Sequence, residues 1–123
     1  MSLIEVGAAD LDSVVAEHPL LIVDFWASWC QPCLRFRPIF ESVAQDCPDV
    51  SFATFQVDAD QANQDYFAEL ELPGVPALLL FKQGRWVELV VGGLAPAALR
   101  QLVQALIDQP DPVETAPSPA VSA

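Results

Sequence analysis

From Leu20 to Trp26 the chain runs through Leu-Leu-Ile-Val-Asp-Phe-Trp, almost without a polar interruption, and this stretch constrains the fold more than any other. A strand with one face in water alternates apolar and polar side chains. A run that is apolar at successive positions belongs to a strand covered on both faces, at the centre of a sheet with helices above and below. The residues around it supply those helices. Cys30 to Gln45 reads as a helix with Phe36, Ile39, Phe40 and Val43 toward the core, and Ala8 to Glu17 as a shorter one carrying Leu11, Val14 and Val15 at helical spacing. Leu3 to Val6 and Val50 to Val57 read as strands, and Asp60 to Leu70 as a third helix.

After Pro73-Gly74 the rhythm changes. Ala77 to Phe81 and Trp86 to Val91 are strand-like runs separated by Lys82-Gln83-Gly84-Arg85, a hairpin with glycine in its turn. Ala95 to Ile107 closes the pattern as an amphipathic helix with Leu99, Leu102, Val103 and Leu106 on one face. The order β-α-β-α-β-α-β-β-α predicts an α/β fold, a mixed central β-sheet flanked by helices on both faces. One domain over residues 1–108 accounts for these signals. Residues 109–123, rich in Pro, Ala, Ser and acids, lack the apolar surface to offset ordering entropy and are expected to form a disordered tail.

Composition narrows the partners. Five Lys and Arg stand against 17 Asp and Glu, a formal net charge of -12, which argues against nucleic acid and anionic membrane surfaces, both polyanions. The apolar runs are far shorter than a membrane span, and Met1-Ser2-Leu3-Ile4-Glu5 does not read as a targeting segment, so a cytoplasmic location is expected. In a reducing compartment three cysteines do not make a structural disulfide framework. Two of them, Cys30 and Cys33, are three residues apart, which points to redox or metal chemistry. Structural zinc needs four ligands, and only Cys47 and His18 remain as candidates, both distant in sequence, so no metal is expected. Cys47, before Pro48 at a helix end, reads as an incidental semi-buried thiol, His18 as a surface loop residue, and Asp58, Asp60, Asp65, Glu69 and Glu71 as a solvated face.

The motif Cys30-Gln31-Pro32-Cys33 falls where the central strand hands over to a helix. Unpaired N–H groups and the positive dipole end of that helix favour a thiolate at Cys30. A thiolate attacks disulfides, and a two-residue spacer lets the second thiol return to resolve the mixed disulfide. Pro32 fits the first turn, which has no intrahelical bond to lose there. Pro38, in mid-helix, removes one bond and predicts a kink. Asp24 is a carboxylate inside an apolar strand, a placement whose desolvation raises its pKa and makes it a candidate general base for Cys33.

The segment Val23-Asp24-Phe25-Trp26-Ala27-Ser28-Trp29-Cys30-Gln31-Pro32-Cys33 resembles the active-site segment of the thioredoxin family. Gly74-Val75-Pro76-Ala77-Leu78-Leu79-Leu80-Phe81-Lys82-Gln83-Gly84 is similar to the family's second signature, with Val91-Gly92 at the expected distance beyond. The resemblance spans about residues 3 to 107 and implies a thioredoxin-like fold and protein thiol-disulfide oxidoreductase activity. It further implies Cys30 as the exposed nucleophile, Cys33 as the buried resolving thiol, and Trp29 as a cover over the site that contacts substrate. Pro76 would be a cis-proline facing the disulfide, with Gly74, Val75, Gly92 and Gly93 completing the groove for an extended substrate backbone. The implied partners are disulfide-containing substrate proteins and a thioredoxin-reductase-like electron donor, with the chain a monomer. No bound cofactor is required, since the reversible Cys30–Cys33 disulfide is its own redox centre.

The chain also departs from that pattern. Gln31 stands where the family usually has Gly, and the two residues between the cysteines tune thiol pKa and potential. Thr54 replaces a buried Lys beside the carboxylate, Leu34 a common Lys after the motif, and Arg37 a small residue, while Arg35 restores positive charge near the site. Arg37, four residues after Cys33 and on the same helical face, either takes over the missing Lys's role by pairing with Asp24 or points to solvent along its stem. A second reading keeps the fold as a scaffold or adaptor with the thiols secondary; retention of both cysteines, Trp29 and Pro76 argues against it.

Overall fold

The computed structural model describes residues 3–112. Nine elements follow one another: β1 (Leu3–Val6), α1 (Leu11–Glu17), β2 (Leu20–Trp26), α2 (Gln31–Asp46), β3 (Ser51–Gln56), α3 (Gln61–Leu70), β4 (Ala77–Lys82), β5 (Arg85–Val91) and α4 (Pro96–Asp108). The strands form one mixed sheet in the order β1-β3-β2-β4-β5, with β1, β3 and β2 parallel and β4 and β5 antiparallel. The apolar run of β2 therefore lies at the middle of the sheet, as its composition predicts. Leu21, Val23 and Phe25 enter one buried layer with Leu11, Val15 and Leu70 of α1 and α3. Ile22 enters the other with Phe36, Phe40, Leu99 and Val103 of α2 and α4.

Most element boundaries agree with the sequence pattern, and the exceptions have local causes. Helix α1 begins at Leu11, not Ala8, because Asp10 turns back on Gly7: its carboxylate accepts from the Gly7 N–H at 2.7 Å, and the Gly7 carbonyl accepts from Leu11 N–H at 3.0 Å. Helix α3 begins one residue after Asp60, whose side chain caps it by accepting from Asn63 N–H at 2.8 Å. The β4–β5 hairpin turns through Gln83 and Gly84, both at positive φ (53° and 78°), as a tight two-residue turn requires. Its first strand extends through Lys82. The Lys82 amine is buried and donates to the Leu106 and Ile107 carbonyls, each at 3.0 Å, and to that of Gln109, so a side chain satisfies the end of α4. Pro38 lies inside α2 as expected. Of the expected tail, residues 113–123 lie outside the described residues.

Candidate active site

Cys30 is the N-cap of α2, reached directly from the end of β2 through the turn Ala27-Ser28-Trp29. Its sulfur accepts from the Cys33 backbone N–H at 3.2 Å, and the Leu34 N–H donates to the Cys30 carbonyl at 3.1 Å. A cap that accepts a hydrogen bond at a helix N-terminus is better satisfied as an anion than as a neutral thiol. Cys30 and Cys33 are joined in a disulfide, with their Cα atoms 5.2 Å apart. Both side chains are buried, so Cys30 is not the exposed thiol that the resemblance implies: joined to Cys33 under the Val75 carbonyl it is 4% accessible, against 1% for Cys33, whereas Trp29 beside them is 70% exposed.

The opposite wall comes from the loop before β4. The Val75–Pro76 peptide bond is cis, and Cys30 Sγ lies 3.8 Å from the Val75 carbonyl oxygen. Gly92 closes the same wall: its N–H donates to the Pro76 carbonyl at 2.7 Å, and its φ of 95° is one that side chains other than glycine rarely adopt. Gly93 packs close to Phe36 of α2, and a Cβ there would stand 3.4 Å from the Phe36 ring. Gly74 has open space around it. Val75 thus meets Cys30, Gly92 is bonded to Pro76, Gly93 packs on Phe36 of α2, and Trp29 precedes Cys30 in the chain, whereas among the described residues Gly74 has no contact that ties it to the pair.

Asp24 lies on the α2/α4 side of β2, in register with Thr54 of β3 and Leu78 of β4. It is completely inaccessible, and neither carboxylate oxygen has a hydrogen-bond partner among the described residues. Burial pushes its pKa from 3.8 up to about 7, against the opposing pull of the Arg37 charge. Thr54, itself buried, is therefore the immediate cross-strand neighbour of this carboxylate. Arg37 does not hydrogen-bond to Asp24, nor does it extend freely into solvent. Its guanidinium carbon sits 4.4 Å from the Trp26 ring centroid, a cation–π stack, and its Nε is buried without a partner among the described residues. Arg37 acts on Asp24 through its charge, from the helix.

Several residues have jobs that the sequence pattern does not mark. Asp58 accepts from the Ser28 backbone N–H at 3.0 Å and from the Ser28 hydroxyl, which ties the turn before Cys30 to the end of β3 and holds the Asp58 carboxyl below its usual range. Asp58 and Asp60 thus make specific bonds, while Asp60, Asp65, Glu69 and Glu71 are exposed as the expected solvated face requires. His18 is half-buried, with Nδ1 2.8 Å from the Ser51 hydroxyl, and is more than a loop residue. Cys47 is half-buried at the end of α2, where burial pushes its thiol pKa up, consistent with an unreactive side chain. Among the described residues no cluster of His, Cys, Asp and Glu could hold a metal ion.

A central strand that hands its chain to a helix capped by one half of a disulfide, facing a cis-proline loop, defines the class of proteins that exchange dithiols with disulfides. Comparison with known proteins gives the family. The thioredoxin family model matches residues 2–105. Thioredoxin-1 of Saccharomyces cerevisiae is 38% identical over 98 residues, 80% of this chain and 91% of its own, and the thioredoxin of Mycoplasmoides gallisepticum is 36% identical over 96 residues, covering 78% and 93%. Among solved structures, a mutant thioredoxin from Halobacterium salinarum superposes with a TM-score of 0.78 at 32% identity, covering 88% of this chain and 93% of that one. The chain belongs to the thioredoxin family, and it is a thiol-disulfide oxidoreductase with Cys30 and Cys33 as its redox pair.

Proposed function

We propose that the protein reduces disulfides in other proteins in the cytoplasm, as a monomer, taking its electrons from a thioredoxin-reductase-like donor. The observation that carries the reading is the cysteine pair at the start of α2, with the Cys30 sulfur next to the Val75 carbonyl at the cis-proline loop. In the reduced protein the Cys30 thiolate attacks one sulfur of the substrate disulfide, forming a mixed disulfide and releasing one substrate thiolate. Cys33 then gives its proton to the Asp24 carboxylate and attacks the Cys30 sulfur. The second substrate thiolate leaves, and the Cys30–Cys33 disulfide forms. Two electrons have passed to the substrate, and the reductase returns them.

Trp29 stands beside the pair and contacts substrate, while Gly74, Val75, Pro76, Gly92 and Gly93 take the extended substrate backbone at close approach. Gln31 and Pro32 tune the thiols from between them, and Arg37 tunes Asp24. Pro38 bends α2 behind the motif. The family resemblance, the burial of Cys33 and the raised pKa of Asp24 support this division of roles.

The test is a redox titration in dithiol/disulfide buffers, read by Trp26 and Trp29 fluorescence, together with dithiol-driven reduction of a model protein disulfide. A reversible two-electron transition at reducing potential and catalysed reduction are expected, with Cys30→Ser losing both. A protein with no transition would be a scaffold, and an oxidising midpoint would make it an oxidant or isomerase.

A further inference from the structure

The 17 acidic residues of this chain are not spread evenly around the redox centre. None lies between Asp24 and Glu41, between Glu71 and Glu88, or between Glu88 and Asp108, so the segments that build α2's first turns, the cis-proline loop and the Gly92-Gly93 loop are free of carboxylates. A groove of about 210 Å³ runs along this acid-free side, lined by Pro32, Arg35, Phe36, Ile39, Gly93 and Leu94. Pro32 lies between the two redox cysteines and Gly93 follows the glycine bonded to Pro76, so the groove adjoins the site and is continuous with it in the chain. Its floor is apolar, and its one charged lining residue is Arg35.

Arg35 is exposed and, among the described residues, has no ion pair or hydrogen bond. Elsewhere in the chain, Arg37 stacks on Trp26, Arg100 pairs with Asp46 at 2.6 Å, and Lys82 is buried against the end of α4. On its own helix the neighbours of Arg35 at three and four residues are Gln31, Pro32, Pro38 and Ile39, none a carboxylate. Of the acids outside these segments, Asp24 is buried within the sheet, Asp58 is bonded to Ser28 and Asp60 caps α3.

We infer that this groove is a substrate subsite selecting an acidic side chain next to an apolar one, flanking the cysteine under attack, with Arg35 as the specificity-determining residue. The inference rests on the disulfide-reductase reading and adds the chemistry of its substrates. The apolar floor takes an aliphatic or aromatic side chain, and the free guanidinium meets the carboxylate beside it in the bidentate geometry that arginine favours. The selection is local, and it opposes the long-range field: a chain of net charge -12 repels acidic proteins as wholes. The substrate that satisfies both is a neutral or basic protein with an acidic, apolar segment at its disulfide.

The test uses two isomeric peptides with one intramolecular disulfide each. One carries a Leu-Glu pair beside each cysteine and Lys residues at its ends; in the other, Glu and Lys exchange places, so that net charge is identical and long-range steering cancels. Pre-reduced protein is mixed with each at low ionic strength, and the ratio of second-order rate constants is read. A preference of roughly two- to five-fold for the Glu-flanked isomer is expected, the range exposed ion pairs supply. It should shrink in high salt and reverse in Arg35→Glu. A wild-type ratio of one, or a preference that survives unchanged in Arg35→Glu, overturns the subsite. Failure of the wild type to reduce either isomer overturns the reductase reading, and the subsite with it.

Discussion

Asp24 gives the sharpest quantitative test, because burial alone sets the direction of its effect on stability. In the unfolded chain its pKa is close to 3.8, and in the folded protein burial raises it to about 7, with Arg37 holding it from going higher. The folded state therefore binds a proton more tightly than the unfolded state does. Stability is fully present below about pH 4, falls as pH rises toward 7, and levels off above that. At 1.36 kcal/mol per pH unit, a rise from 3.8 to about 7 corresponds to a loss of about 4 kcal/mol by pH 8. Asp24→Asn keeps the shape and removes the titration. Urea unfolding of both oxidised proteins from pH 4 to pH 9 isolates the effect, since every other carboxylate titrates alike in the two. The wild type should lose stability relative to Asp24→Asn by about 4 kcal/mol across this range, with most of the change complete near pH 7. A difference that stays flat with pH, or one in which the wild type gains relative stability as pH rises, would refute the reasoning.

Arg37→Gln removes the charge that opposes burial at Asp24, so the pH profile of disulfide reduction should move upward, while Arg37→Lys should return part of the way; an unmoved profile in Arg37→Gln would show that the stacked guanidinium does not reach the carboxylate. Lys82→Met strips the donor from three carbonyls at the end of α4, and urea unfolding should register a loss of about 2 to 3 kcal/mol, against a value near zero if those carbonyls are satisfied otherwise.

The fold was legible because its strongest signals are periodic. A nearly continuous apolar β2, strand-like runs on either side of a glycine turn and helices with a single apolar stripe leave a record in neighbouring residues, and the two signature segments fall at the junctions these elements define. Asp24 was legible for the opposite reason, as the one residue that breaks such a record. What escaped notice depends on side chains that meet across long stretches of sequence. Asp58 bonds to Ser28 thirty residues away, and Lys82 to carbonyls 24 to 27 residues on, and no pattern within either segment announces the partner. Lys82 read as part of the turn because a lysine beside Gln-Gly favours solvent; the uncapped carbonyls of α4 reverse that preference. The relation of Arg37 to Asp24 was half legible. Helical spacing gave the face, but not that Trp26, at the end of the same strand as Asp24, would hold the guanidinium by its ring.

That stack fixes where the nearby positive charge stands relative to the carboxylate. A lysine at position 54 would approach Asp24 from the adjacent strand, in register with it, and could reach a carboxylate oxygen directly. Arg37 stands instead on α2, anchored on Trp26, and the carboxylate oxygens have no hydrogen-bond partner among the described residues. A charge that does not touch its partner lowers the pKa less than a contact pair does, because Coulomb energy falls with distance and no hydrogen bond is added to it. Burial therefore remains the larger effect, and Asp24 rests near neutrality. In the proposed reaction that is the useful balance. A carboxylate held firmly ionised would be a weak base toward the Cys33 thiol, and one left wholly to desolvation would already carry its proton. Near neutrality both forms are populated, so Asp24 can accept the proton during resolution and lose it again when the reductase restores the dithiol.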